Sequence, residues 1–76
     1  MQFNAIIEHD QDGFYAYIPS LHGCVSQGDT LEETLVNIKE ALELYLEDMD
    51  EQEREKISKS NYIIAPIQVQ IHPAHV

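Results

Sequence analysis

Asp10 and Asp12, with Glu8 two positions earlier, are the first residues whose types and spacing could do chemistry. Clustered carboxylates supply the hard oxygens that magnesium or calcium prefers. The run His9-Asp10-Gln11-Asp12-Gly13 lacks the later ligands of a calcium loop. Asp-rich runs that end in Gly are also what a tight turn requires. No metal site is expected here. Cys24 is the second candidate, a thiol nucleophile that could take His22, His9, His72 or His75 as its base. A reactive cysteine needs a cationic neighbour to depress its pKa, and the loop around Cys24 holds neither Lys nor Arg. The residue reads instead as a small buried hydrophobe. His72 and His75 are two imidazoles, too few for a tetrahedral metal shell. Gly13, Gly23 and Gly28 sit where turns are needed rather than in a phosphate-cradling loop. The chain is therefore expected to carry no catalytic residue and no cofactor.

Tyr15 and Tyr17 have a different kind of chemistry. Two rings with hydroxyl handles beside Ile6 make the mixed apolar and polar surface that protein interfaces favour. Which surface they occupy depends on the elements that carry them. Residues 2–9 alternate, with Phe3, Ala5 and Ile7 on one face and Asn4, Ile6 and Glu8 on the other. Residues 14–18 alternate again, placing Phe14, Ala16 and Ile18 opposite Tyr15 and Tyr17, and the polar turn between the runs makes a hairpin. Pro19 ends the second strand because it has no amide to donate. A short third strand over residues 24–27 extends the meander to Gly28.

At Thr30 the period changes. Thr30 followed by Glu33 reads as a capping box, in which hydroxyl and carboxylate each satisfy an amide at the helix start. Leu31, Leu35, Ile38, Leu42, Tyr45 or Leu46, and Met49 then recur at helical spacing, predicting one amphipathic helix over about residues 31–50. Leu35, Ile38 and Leu42 are expected to cover Phe14, Ala16 and Ile18. The charged stretch 48–61 reads as a turn or two more of helix and then a surface connection. Ile67, Val69 and Ile71 alternate with Gln68 and Gln70, predicting a last strand over residues 67–71. The order is strand, strand, strand, helix, strand: a small α+β domain spanning residues 1–76, its mostly antiparallel sheet covered on one face. The other face keeps Ile6, Tyr15 and Tyr17, with Glu8, Asp10 and Asp12 at its acidic end. These six are the expected partner-contact residues.

Composition narrows the partner. A chain of 76 residues has 14 acidic against 4 basic residues, a formal net charge of −10. Phosphate-backbone binding needs clustered Lys and Arg, so direct nucleic-acid binding is not expected. An acidic domain is suited to a basic protein, whose approach its field accelerates. A chain this short buries only about 60% of its unfolded surface, which makes a homodimer or higher oligomer expected. There is one cysteine, no apolar run of membrane-spanning length and no signal-peptide start. The reading is a soluble cytoplasmic protein without a membrane partner.

The ordered string DGFYAYIPSLHGCVSQGDTLEETLVNIKEALELYLED resembles HicB-type antitoxin domains. Its parts are an Asp-Gly turn, an aromatic strand ending in Ile-Pro, a Leu-x-Gly-Cys loop, Gly-Asp-Thr, a Glu-Glu pair, and Asn and Glu-Ala along the helix. That resemblance implies a βββαβ fold similar to a reduced ribonuclease-H-like core, and a non-enzymatic antitoxin that binds a HicA-type mRNA-cleaving toxin. HicA toxins are small ribonucleases with a double-stranded-RNA-binding-like fold and an essential histidine. Many family members continue into a C-terminal DNA-binding segment, whereas this chain ends a few residues after the expected last strand. The alternatives are an orphan regulatory or structural interaction subunit, and a metal-dependent nuclease remnant using Asp10 and Asp12.

Overall fold

In the computed structural model, residues 2–59 and 63–73 are described. Ile6–Asp10 forms β1, Gly13–Tyr17 forms β2 and Val25–Gly28 forms β3, giving one antiparallel sheet in the order β1-β2-β3. The hairpin register sets Ile6 opposite Tyr17, Glu8 opposite Tyr15 and His9 opposite Phe14. Its turn follows from local chemistry. The Asp12 amide donates to Asp10 Oδ1 at 2.8 Å, and Gly13 takes φ 139°, which a side chain would strain. β1 starts later than the sequence predicts, because its partner strand ends at Tyr17, opposite Ile6. Phe3 and Ala5 lie before the ladder yet still pack on the core.

After Pro19 a tight loop holds itself together. The Leu21 amide donates to the Ile18 carbonyl at 3.0 Å and the Cys24 amide to the Leu21 carbonyl at 3.2 Å. Leu21 and Cys24 thereby turn inward and are buried. β3 pairs with β2, Tyr17 facing Val25 and Tyr15 facing Gln27.

The helix α1 spans Leu31–Glu47 and begins where the sequence predicts. Thr30 Oγ1 accepts from the Glu33 amide at 3.1 Å. Only this half of the expected reciprocal cap forms, since the Glu33 stem lies against Gly28. The buried stripe also differs from the expected one. Thr34 is fully buried and Ile38 nearly so, with Ala41, Leu42, Tyr45 and Met49 packed on the core, while Leu35 is 46% exposed. The reason is where α1 sits. It packs over β3 and β2, and at Gly28 the approach is so close that a Cβ would meet Thr34 Oγ1 at 2.7 Å. Thr34 tolerates that burial because its hydroxyl donates to the Thr30 carbonyl at 2.7 Å.

The single helix expected over 31–50 is two helices. α1 stops at Glu47, and Glu51–Lys59 forms α2. Asp50 caps α2, accepting from the Glu53 amide at 2.8 Å. Arg54 donates back to the Leu46 carbonyl at 2.9 Å, covering the end of α1. Ile57 alone of α2 packs against the core.

The predicted fourth strand is the main correction. Residues 63–73 form neither helix nor strand, and all are exposed. Ile67 is 83% and Ile71 85% exposed. Alternation gave these residues a strand pattern, but a strand also needs a neighbour for its amides and carbonyls, and none lies beside them among the described residues. His75 lies outside the described residues. No described helix is long and apolar enough to cross a membrane.

The open face of the sheet as a candidate interface

Side-chain alternation and the two registers sort the sheet into two faces. Ile7, Ala16, Ile18 and Cys24 point to α1, whereas Ile6, Glu8, Asp10, Tyr15, Tyr17, Val25 and Gln27 share the uncovered face. Five of the six expected contact residues therefore stand together on it. Asp12, the sixth, lies in the hairpin turn at its acidic end. The Tyr15 and Tyr17 rings are 6.1 Å apart at 41°, and Tyr15 remains 40% exposed. Val25 was not among the expected contacts. It sits opposite Tyr17 and is exposed, and extending the parity of β2 across Gly23 and Cys24 would have found it.

Two concavities flank this aromatic centre. One is lined by Glu8, Asp10, Asp12, Asp29, Glu33 and Gln27, together with His9 and Phe14. No Lys or Arg lines it, and Asp29 and Glu33 add the start of α1 to the acidic end read from the hairpin. A helix N-terminus stabilises its own carboxylates through its dipole, so Glu33 and Asp29 accumulate there at little cost. The other is a groove along Tyr15, Tyr17, Pro19, His22, Gly23 and Val25. Tyr45 fixes its rim by donating its hydroxyl to the His22 carbonyl at 2.8 Å.

The nucleophile and metal candidates are dispersed. Cys24 is buried on the helix side of the sheet, and loss of solvation pushes its thiol pKa upward, away from thiolate chemistry. His9 stacks on Phe14 with ring centroids 4.0 Å apart and ring planes nearly parallel, while His22 is exposed in the loop. Asp10 serves the turn through Asp12. Among the described residues no three His, Cys, Asp or Glu side chains are grouped so as to hold a metal.

The sheet thus has one helix-covered face and one open face that carries two tyrosines and an acidic end. A family model described as "HicB_like antitoxin of bacterial toxin-antitoxin system" matches residues 3–71, and the chain belongs to that family. Among its relatives, a UPF0150 protein of Helicobacter pylori strain J99 is 54% identical over 69 residues, covering 91% of this chain and 96% of the relative. A UPF0150 protein of Synechocystis is 40% identical, covering 88% and 85%. One of Thermoplasma acidophilum is 44% identical, covering 80% and 88%. No solved structure gives a significant match.

Proposed function

We propose that the chain is a non-enzymatic, cytoplasmic antitoxin that binds and neutralises a HicA-type mRNA-cleaving toxin through the open sheet face. The observation that carries this reading is the pairing of an aromatic centre, exposed Tyr15 and half-buried Tyr17, with an acidic rim of Glu8, Asp10, Asp12, Asp29 and Glu33. Aromatic residues at the centre of an interface supply most of its binding energy. Carboxylates at its edge accelerate encounter with a basic ribonuclease and stand where RNA phosphates would bind. Family membership supplies the antitoxin role. The ribonuclease-H-like likeness of the sheet belongs to the same proposal, as does the absence of direct DNA binding.

The test is calorimetric titration with a HicA-type toxin encoded beside this chain, together with an RNA-cleavage assay. Binding that suppresses cleavage is expected, weakening about tenfold or more in Tyr15→Ala or Tyr17→Ala, as truncated interface anchors do. Absence of binding at low salt overturns the proposal for that pair. RNA cleavage by this chain with added magnesium, lost in Asp10→Ala, would establish the nuclease reading instead.

A further inference from the structure

The sheet has two edges, and they are treated differently. The Ile18 amide donates to the Cys24 carbonyl at 3.0 Å, so residues 18 and 24 form a hydrogen-bonded pair in the β2–β3 ladder. Antiparallel pairs alternate between bonded and non-bonded. With the observed registers, Val25 and Gln27 turn their backbone groups to the outer edge of β3, and Ile7 and His9 turn theirs to the outer edge of β1. Asn37 of α1 covers the β3 edge, its Nδ2 donating to the Gln27 carbonyl at 2.9 Å. Among the described residues no strand pairs with the outer edge of β1.

The helix leaves room on the same side. Asn37 marks the flank of α1 that faces β3. Leu35 lies roughly 160° around the helix from it, at about 100° per residue, and so faces beyond β1. Leu35 and Leu31 on this flank are both exposed. A free strand edge beneath an exposed apolar helix flank is the space of one missing strand.

The chain contains a segment suited to that space and does not put it there. Ile67, Val69 and Ile71 share one face of an extended stretch, Gln68 and Gln70 the other, and Pro66 stands where a strand can begin. The stretch stays exposed and off its own sheet. Arg54 fastens α2 to the end of α1, and none of residues 63–73 packs on the core. The Cα radius of gyration is 16.4 Å, against about 11 Å for a compact chain of this length.

We infer that residues 67–71 form the fourth strand of a second copy, docking beside its β1 while the second copy returns the same segment. The exchange is symmetric, as closed dimers require. Ile67, Val69 and Ile71 pass beneath Leu31 and Leu35 of the other copy, and Gln68 and Gln70 join its open face without covering Tyr15 or Tyr17. The inference is independent of the toxin proposal, because it concerns an edge and a flank that the open face does not use.

Light scattering after size exclusion, combined with hydrogen exchange resolved at single amides, tests it. The expected result is a dimer in which the Ile7 and His9 amides are protected. Both the dimer and that protection are expected to be lost in the Ile67→Asp, Val69→Asp, Ile71→Asp triple variant, whose far-UV circular dichroism still shows a folded body. Leu35→Glu should weaken the dimer at least tenfold from the other side of the same contact. A monomer with unprotected Ile7 and His9 amides overturns the inference. So does a monomer with both amides protected, since the strand then closes on its own sheet. A dimer that survives the triple variant also overturns it.

Discussion

Strand β2 and the segment 67–71 have nearly the same sequence pattern and opposite fates. Phe14, Ala16 and Ile18 alternate with tyrosines, and Ile67, Val69 and Ile71 alternate with glutamines. The first set lies under α1 with Ala16 and Ile18 buried, whereas the second is exposed. Alternation decides which side chains share a face. It does not decide whether anything covers that face or pairs with the backbone. β2 has strands on both sides and a helix above, while 67–71 has no strand partner among the described residues and nothing covering it.

The sharpest way to break this comparison is to cut equal apolar volume from each region. Ile38→Ala in the covered body should lower unfolding free energy by ~2–5 kcal/mol, the usual result of emptying a packed core site. Ile71→Ala should change it by less than ~0.5 kcal/mol, as exposed substitutions do, when both are measured by urea unfolding at concentrations below self-association. Equal effects would mean that the segment is already part of the core of its own chain.

The close approach of α1 to β3 gives the next effect. Gly28→Ala places a Cβ at 2.7 Å from Thr34 Oγ1, and overpacking of this kind costs ~1–3 kcal/mol. Both atoms belong to short, fixed groups, so relief requires moving the helix. Thermal unfolding that leaves the midpoint unchanged would show that the helix shifts freely.

The two helix caps sharpen the contrast between covered and uncovered elements. Thr30→Ala removes the cap of α1 and should cost ~1 kcal/mol of global stability. Asp50→Ala removes the equivalent bond from α2, which has no buried residue. It should lower helical ellipticity while changing global stability by less than ~0.5 kcal/mol, because α2 can fray while the body stays folded.

Cys24 reports burial through pH. Its thiol is raised above the ordinary value of 9.0 by desolvation, so the unfolded chain loses its proton first. Below pH 9.0 both states hold the proton and the stability is fully present; it falls as pH rises through the unfolded and then the folded pKa. Cys24→Ala should abolish that part of the alkaline slope in urea midpoints measured from pH 8 to 10. The smallest effect belongs to the exposed Lys59–Glu55 pair of α2, 3.2 Å apart. Lys59→Ala should cost ~0–0.5 kcal/mol, as surface pairs one helical turn apart do.

Local signals were legible wherever the chemistry is local. The hairpin turn, the two faces of β2, the stop at Pro19 and the start of α1 at Thr30 each depend on residues within about five positions of one another, and all were readable. The α2 start was missed: Asp50 with Glu53 repeats the spacing of Thr30 with Glu33, but the charged composition of the stretch concealed it. The open face could be read for Ile6, Glu8, Tyr15 and Tyr17. Val25 was legible by parity but not read, and Asp29 and Glu33 joined the acidic end only through the docking of α1. Thr34 had no signal, because a hydroxyl that bonds its own helix carbonyl looks the same in sequence as one that faces water.

By itself, then, the sequence determined the period of each segment, the caps and turns between them, and the excess of carboxylates over basic residues. These follow from bonds between near neighbours and from charge, neither of which needs a fold. The tertiary structure decided which apolar stripe of α1 is buried, that Asn37 covers the β3 edge while the β1 edge stays open, and that residues 67–71 lie apart from the sheet. Those outcomes depend on how far a helix can approach a strand at Gly28 and on which strand edges find a partner. They are set by contacts between residues distant in sequence, which no local pattern encodes.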